Sequence, residues 1–154
     1  MINFFKNFFN KNNFEFNNKS KDLILKAHPD LQKLVNKALS LCEIQFQVYY
    51  SARTIEEQIK LVKDGKSKTY NSRHLHNMAV DVYAEIEKGK ANWEHKHYVT
   101  IDKAFQEAAE KLKISYIWGG TFKGFVDANH FELNKYYYPD NPDIIKELKN
   151  KKLI

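Results

Sequence analysis

The stretch Ser-Arg-His-Leu-His-Asn-Met-Ala-Val-Asp-Val, residues 72–82, sets two imidazoles beside a carboxylate that lies between Val80 and Val82. A carboxylate in an apolar run must be paired, protonated or bound to a cation, because an isolated buried charge is costly. Asp81 therefore needs a partner, and His74 and His76 are both close enough in sequence to be one. A further imidazole, His130, stands in Val-Asp-Ala-Asn-His-Phe-Glu-Leu, residues 126–133. Two imidazoles and a carboxylate with one open position are the composition of a catalytic zinc site. Asp127, just upstream of His130, could take a proton from an attacking water instead of binding the metal. Spacing alone leaves this metal reading in competition with plain hydrogen bonding between His74 and Asp81.

Other residues of chemical interest are more economically read as structural. Cys42 is the one cysteine, which excludes an intrachain disulfide and a cysteine-based metal site, and its apolar neighbours make it a core residue. Gly-Lys-Ser-Lys-Thr at 65–69 has the tail of a phosphate loop, but the earlier glycine that motif requires is Lys60. His95 and His97 flank a lysine in a polar stretch and are expected to be solvated. Trp118, ahead of Gly119 and Gly120, suits the core or a pocket wall. The lysines near the C-terminus read as a solvated helix face.

These residues need a scaffold, and the chain is long enough for one. At 154 residues, with 43% hydrophobic and 14% aromatic content, it suits a single folded domain rather than a disordered chain. Residues 1–20 form an Asn/Phe-rich arm, expected to dock on the domain itself or, alternatively, on a membrane surface. The domain proper is expected over 21–154. His28–Cys42 carries apolar residues at helical spacing behind Pro29. Ile44–Tyr50 alternates as a half-buried strand, with Gln45, Gln47 and Tyr49 on its open face. Thr54 and Glu57 form a capping box for a helix ending near Gly65. Met78–Ala84 reads as a strand with Asp81 on the face of Ala79 and Tyr83, 98–113 as a helix, 115–118 and His130–Leu133 as strands, and 140–152 as a basic terminal helix. Few strands, several helices and no regular βαβ alternation predict an α+β fold, a small mostly antiparallel sheet flanked by helices.

The formal charge of +6 suits an anionic partner, whether nucleic acid, phospholipid or an acidic wall polymer, and does not choose among them. No apolar run reaches the ~18 residues of a membrane span. The N-terminus lacks the apolar core of a secretory signal, so synthesis in the cytoplasm is expected.

Three separated segments carry a family resemblance. Ser-Arg-His-Leu-His-Asn-Met-Ala-Val-Asp resembles the Ser-x-His-x-x-Gly-x-Ala-x-Asp signature of zinc peptidases of the D-alanyl-D-alanine carboxypeptidase/dipeptidase family. Tyr-Ile-Trp-Gly-Gly through Asp127-Ala-Asn-His130-Phe-Glu is similar to its L-alanyl-D-glutamate endopeptidase branch, as found in phage endolysins. Residues 28–58 resemble the opening of that branch. The resemblance, covering roughly 26–133, implies the hedgehog/DD-peptidase-like fold and a Zn2+ site made by His74, Asp81 and His130, with His76 outside it. It implies Asp127 as the general base, where some relatives have Glu. Arg53 corresponds to the arginine that steadies the scissile carbonyl, Ser72 to a residue shaping the substrate pocket, and Gln58 to an architectural glutamine. Asn77 departs from the usual Gly, though Asn tolerates the left-handed conformation better than most residues.

The implied function is hydrolysis of peptidoglycan stem peptides at the L-alanyl-D-glutamate bond, by a monomer acting on the cell wall after release, with no nucleic-acid partner. The alternatives are a D-alanyl-D-alanine carboxypeptidase or dipeptidase, and a non-catalytic wall-binding protein stabilised by its metal.

Overall fold

The computed structural model describes residues 12–154. The first half of the N-terminal arm, residues 1–11, lies outside them. Helices α1 (Asn18–Ile24), α2 (Pro29–Leu41), α3 (Ile55–Lys63), α4 (His95–Leu112) and α5 (Pro142–Asn150) accompany strands β1 (Phe46–Tyr50), β2 (Ala79–Glu87), β3 (Lys90–Asn92), β4 (Tyr116–Trp118) and β5 (His130–Leu133). The strands form one sheet in the order β1-β2-β5-β4, every neighbouring pair antiparallel, and β3 folds back on β2 as a hairpin. This is the expected α+β arrangement.

The helices start where local chemistry says they should. Pro29 occupies the first turn of α2, and His28 Nδ1 accepts the Asp30 N–H at 3.1 Å. The Thr54 hydroxyl accepts from the Glu57 N–H at 3.2 Å, while the Glu57 carboxylate accepts from the Thr54 N–H at 2.8 Å. That reciprocal pair satisfies two otherwise orphaned donors of α3. Helix α4 begins at His95, earlier than the apolar periodicity announces, because its first turn is polar.

Strand alternation divides the sheet into two unlike faces. Val80, Val82, Phe131 and Leu133 are fully buried on one face, in a core shared with Leu31, Leu34 and Val35 of α2 and Ile101 and Phe105 of α4. The Phe105 and Phe131 rings stack with centroids 4.1 Å apart. Truncating such a ring typically costs about 3–5 kcal/mol. The opposite face carries Asp81, His130 and Glu132. A smaller apolar cluster joins Ile55 of α3, Leu75 and Leu148 of α5.

One expectation fails on β1. Gln47, read as a residue of an open face, is 3% exposed. Residues 12–20 run across it: Gln47 Oε1 accepts from the Asn17 N–H at 3.0 Å and the Ser20 hydroxyl at 2.9 Å. Phe16 enters the core beside Phe46, their rings 5.5 Å apart in an edge contact. Polar side chains from two segments satisfy each other, so β1 is covered at Gln47 without that position becoming apolar.

Candidate metal centre

Asp81 and His130 are direct cross-strand partners on β2 and β5, so antiparallel register alone puts their side chains together on the face away from the core. The third member arrives from a 3-10 turn, Arg73–His76. The Ser72 hydroxyl caps that turn at the His74 N–H (3.4 Å), and Asn77 ends it in the left-handed region at φ 60°. The asparagine therefore fills the role for which a glycine would ordinarily be chosen.

His74 Nε2 lies 3.2 Å and His130 Nδ1 3.0 Å from the same Asp81 oxygen. Candidate ligand atoms of the three residues all fall within 4.8 Å of one another, the geometry of a group able to hold a metal ion. The chemistry of the donor set agrees. His74 Nδ1 contacts the Ser51 carbonyl at 2.6 Å; a carbonyl can only accept, so the proton is on Nδ1 and the Nε2 lone pair points at the cluster. His130 Nε2 meets the Glu132 carboxylate at 2.7 Å, leaving Nδ1 directed inward. Anchoring the outer ring nitrogen in this way is the habit of metal-ligating histidines.

The electrostatics are tightly coupled. Burial alone would lower the pKa of His130, but its hydrogen bonds with Asp81 and Glu132 raise it to about 10. Burial would raise that of Asp81, yet His74 and His130 hold it well below the usual carboxylate range. Asp81 thus stays an anion in a nearly dry site, and demands positive charge around it.

The cluster borders a cleft of about 500 Å³ that also takes in Arg53, Ser72 and Asp127. Arg53 sits under the turn: its N–H donates to the His74 carbonyl at 3.2 Å, its guanidinium lies 4.6 Å from the Tyr50 ring centroid, and Nη1 donates to Gln58 Oε1 at 2.7 Å. Its buried Nε has no partner among the described residues. Asp127 is placed by backbone. Its N–H donates to the Gly119 carbonyl at 3.0 Å, and its own carbonyl accepts the His130 N–H at 3.1 Å. A side chain at Gly119 would collide with the Asp127 carbonyl, so glycine is required for this close approach. Burial raises the pKa of Asp127 against the pull of His130.

His76 points elsewhere. Its Nε2 bonds Asn71 Oδ1 at 2.7 Å and its Nδ1 accepts the Asn141 N–H at 3.0 Å. His95 stacks on Trp118 with centroids 6.0 Å apart, and Trp118 Nε1 donates to the Ala128 carbonyl at 2.6 Å. Two features escaped the sequence reading. Glu132 shares a strand face with His130, a period-2 signal that was visible but unassigned. Asp140 pairs with Arg73 at 2.7 Å and Lys135 at 2.6 Å, and no local pattern announces a contact across such a separation.

The comparisons converge. Residues 12–143 match a family model described as phage L-alanyl-D-glutamate peptidase. The L-alanyl-D-glutamate peptidase of Escherichia phage T5 is 26% identical over 135 residues, spanning 78% of this chain and 98% of that protein. The protein of the same name from Listeria phage A118 is 34% identical over 92 residues, covering 59% of this chain but 31% of that longer protein. Among solved structures, the Serratia marcescens L-Ala D-Glu endopeptidase ChiX superposes with a TM-score of 0.77 at 34% identity, covering 84% of this chain and 98% of that one.

Proposed function

The chain belongs to the phage L-alanyl-D-glutamate peptidase family, and on that premise we propose that it is a zinc endopeptidase cutting the L-alanyl-D-glutamate bond of peptidoglycan stem peptides. The observation that carries the reading is the convergence of His74, Asp81 and His130 from a turn and two strands, each histidine steered by a partner on its outer nitrogen. These three residues would hold the zinc. A zinc ion there supplies Lewis acidity, acidifying water and polarising a carbonyl oxygen.

The remaining work falls to the protein. Asp127 is a carboxylate of raised pKa on the wall of the same cleft, suited to accept a proton from the attacking water and return it to the leaving amine. Arg53 offers several directed guanidinium donors, and Gln58 fixes one of its nitrogens, so the others can meet the oxyanion that develops on the scissile carbonyl. Ser72 holds the ligand turn at the cleft edge and shapes the pocket there. No helix among the described residues is long and apolar enough to cross a membrane. The cell wall is the site of action this substrate requires.

Digestion of purified peptidoglycan by the zinc-loaded protein, with the new termini read by mass spectrometry, tests the reading. New alanine carboxyl termini paired with new glutamyl amino termini are expected. Release of D-alanine alone would instead identify a carboxypeptidase.

A further inference from the structure

The cleft is not uniform in charge. Asp81, Asp127 and Glu132 line it beside the metal-binding cluster, and the loop after α3 contributes Lys66 and Lys68 to the same lining. Neither lysine has a carboxylate partner among the described residues. Their loop is nevertheless held in register. Gln58 is fully buried and donates through Nε2 to Ser67 Oγ at 2.9 Å and to the Thr69 carbonyl at 2.6 Å. The same side chain accepts from Arg53 Nη1 at 2.7 Å, so one glutamine sets the lysine loop and Arg53 relative to each other. Lys68 turns toward another lining residue, its ammonium 4.9 Å from the Phe125 ring centroid. Two cationic side chains with no carboxylate partner among the described residues, on a loop tied through Gln58 to Arg53, give the cleft a positive lining suited to an anion.

The substrate class offers one. A glutamyl residue has two carboxyls; one continues the peptide, and the other stays free and ionised at neutral pH. We propose, building on the peptidase reading above, that Lys66 and Lys68 form a carboxylate subsite for the free carboxylate of the D-glutamyl residue on the leaving side of the scissile bond. The lysines attract that group and so help to orient the substrate in the cleft. The subsite makes the enzyme discriminate between a D-glutamyl residue and its carboxamide.

The test uses the zinc-loaded protein and two synthetic stem peptides that differ only in a free carboxylate or a carboxamide on that residue. Wild type is expected to favour the carboxylate peptide by about tenfold in kcat/KM, chiefly through KM, as suits two solvent-accessible ion pairs. Added salt should shrink the preference. The Lys66→Gln/Lys68→Gln double variant should lose it while cutting the carboxamide peptide at the wild-type rate, and the Lys66→Arg/Lys68→Arg variant should keep it. Equal cleavage of both peptides by wild type overturns the subsite alone. So does a double variant that slows by the same factor on both. A zinc-loaded wild type that cuts neither peptide overturns the peptidase reading, and the subsite with it.

Discussion

His74 and His76 leave the same short turn and enter two clusters that each contain a buried aspartate, yet the clusters differ in how their charge is balanced. Around Asp140, a guanidinium and an ammonium answer one carboxylate: Arg73 at 2.7 Å and Lys135 at 2.6 Å, with Asn71 donating at 3.0 Å. Arg73 also donates to the Leu133 and Tyr138 carbonyls, at 3.0 and 2.8 Å. That cluster is complete, and it ties the turn to the C-terminal segment. Around Asp81, among the described residues, two imidazoles gather, their inner nitrogens aimed at its carboxylate and their outer nitrogens engaged. Similar residue types give a rivet in one place and a group able to hold a cation in the other. The lesson is that the inventory of fixed charge, more than the presence of His and Asp, separates a structural cluster from a metal centre.

The sharpest way to break the contrast is Asp81→Ala, which should abolish metal binding and take stem-peptide hydrolysis to background, read by elemental analysis and peptide assay. Asp127→Ala should leave the metal in place and lower kcat by about 10²–10⁴-fold; parallel loss of metal would mean that Asp127 is a ligand. Asp140→Ala strands a buried guanidinium and should cost about 3–5 kcal/mol in urea unfolding. Metal content per folded molecule should not change, since a coupled loss would merge the two clusters into one. Glu132→Gln should weaken metal affinity by about 10–100-fold in a competition titration. The smallest effect is on acid stability. Burial raises the pKa of Asp140, but Lys135, Asn71 and Arg73 outweigh it and hold the pKa at about 2, below the ordinary 3.8. Its stabilisation is therefore complete above that ordinary value and lost as pH falls toward 2. The stability gap between wild type and Asp140→Asn should narrow over that window.

Much of the site was legible because its logic is local. Asp81 advertised itself as a charge in an apolar strand, and His130 as a further imidazole at the head of a short strand. Asn77 could be read as a left-handed residue, and the capping box at Thr54 stood in plain sequence. What escaped depends on contacts between distant segments. Gln47 looked solvated until residues 12–20 covered it, and α1 buries only Ser20 and Ile24, too few to announce a periodicity. Strand β3 is short and largely exposed. The choice between His74 and His76 did not come from spacing, since each has an aspartate in reach; it came from the family resemblance.

The C-terminal helix has a bearing on modular engineering. Leu148 is sealed against Leu75, a residue of the very turn that presents His74, and against Ile55 at the start of α3. A chimera joined ahead of Pro142 would strip this apolar cap and loosen the turn from behind, even with every ligand retained. Fusion junctions to a wall-targeting module therefore belong beyond α5, where the added sequence leaves the seal intact.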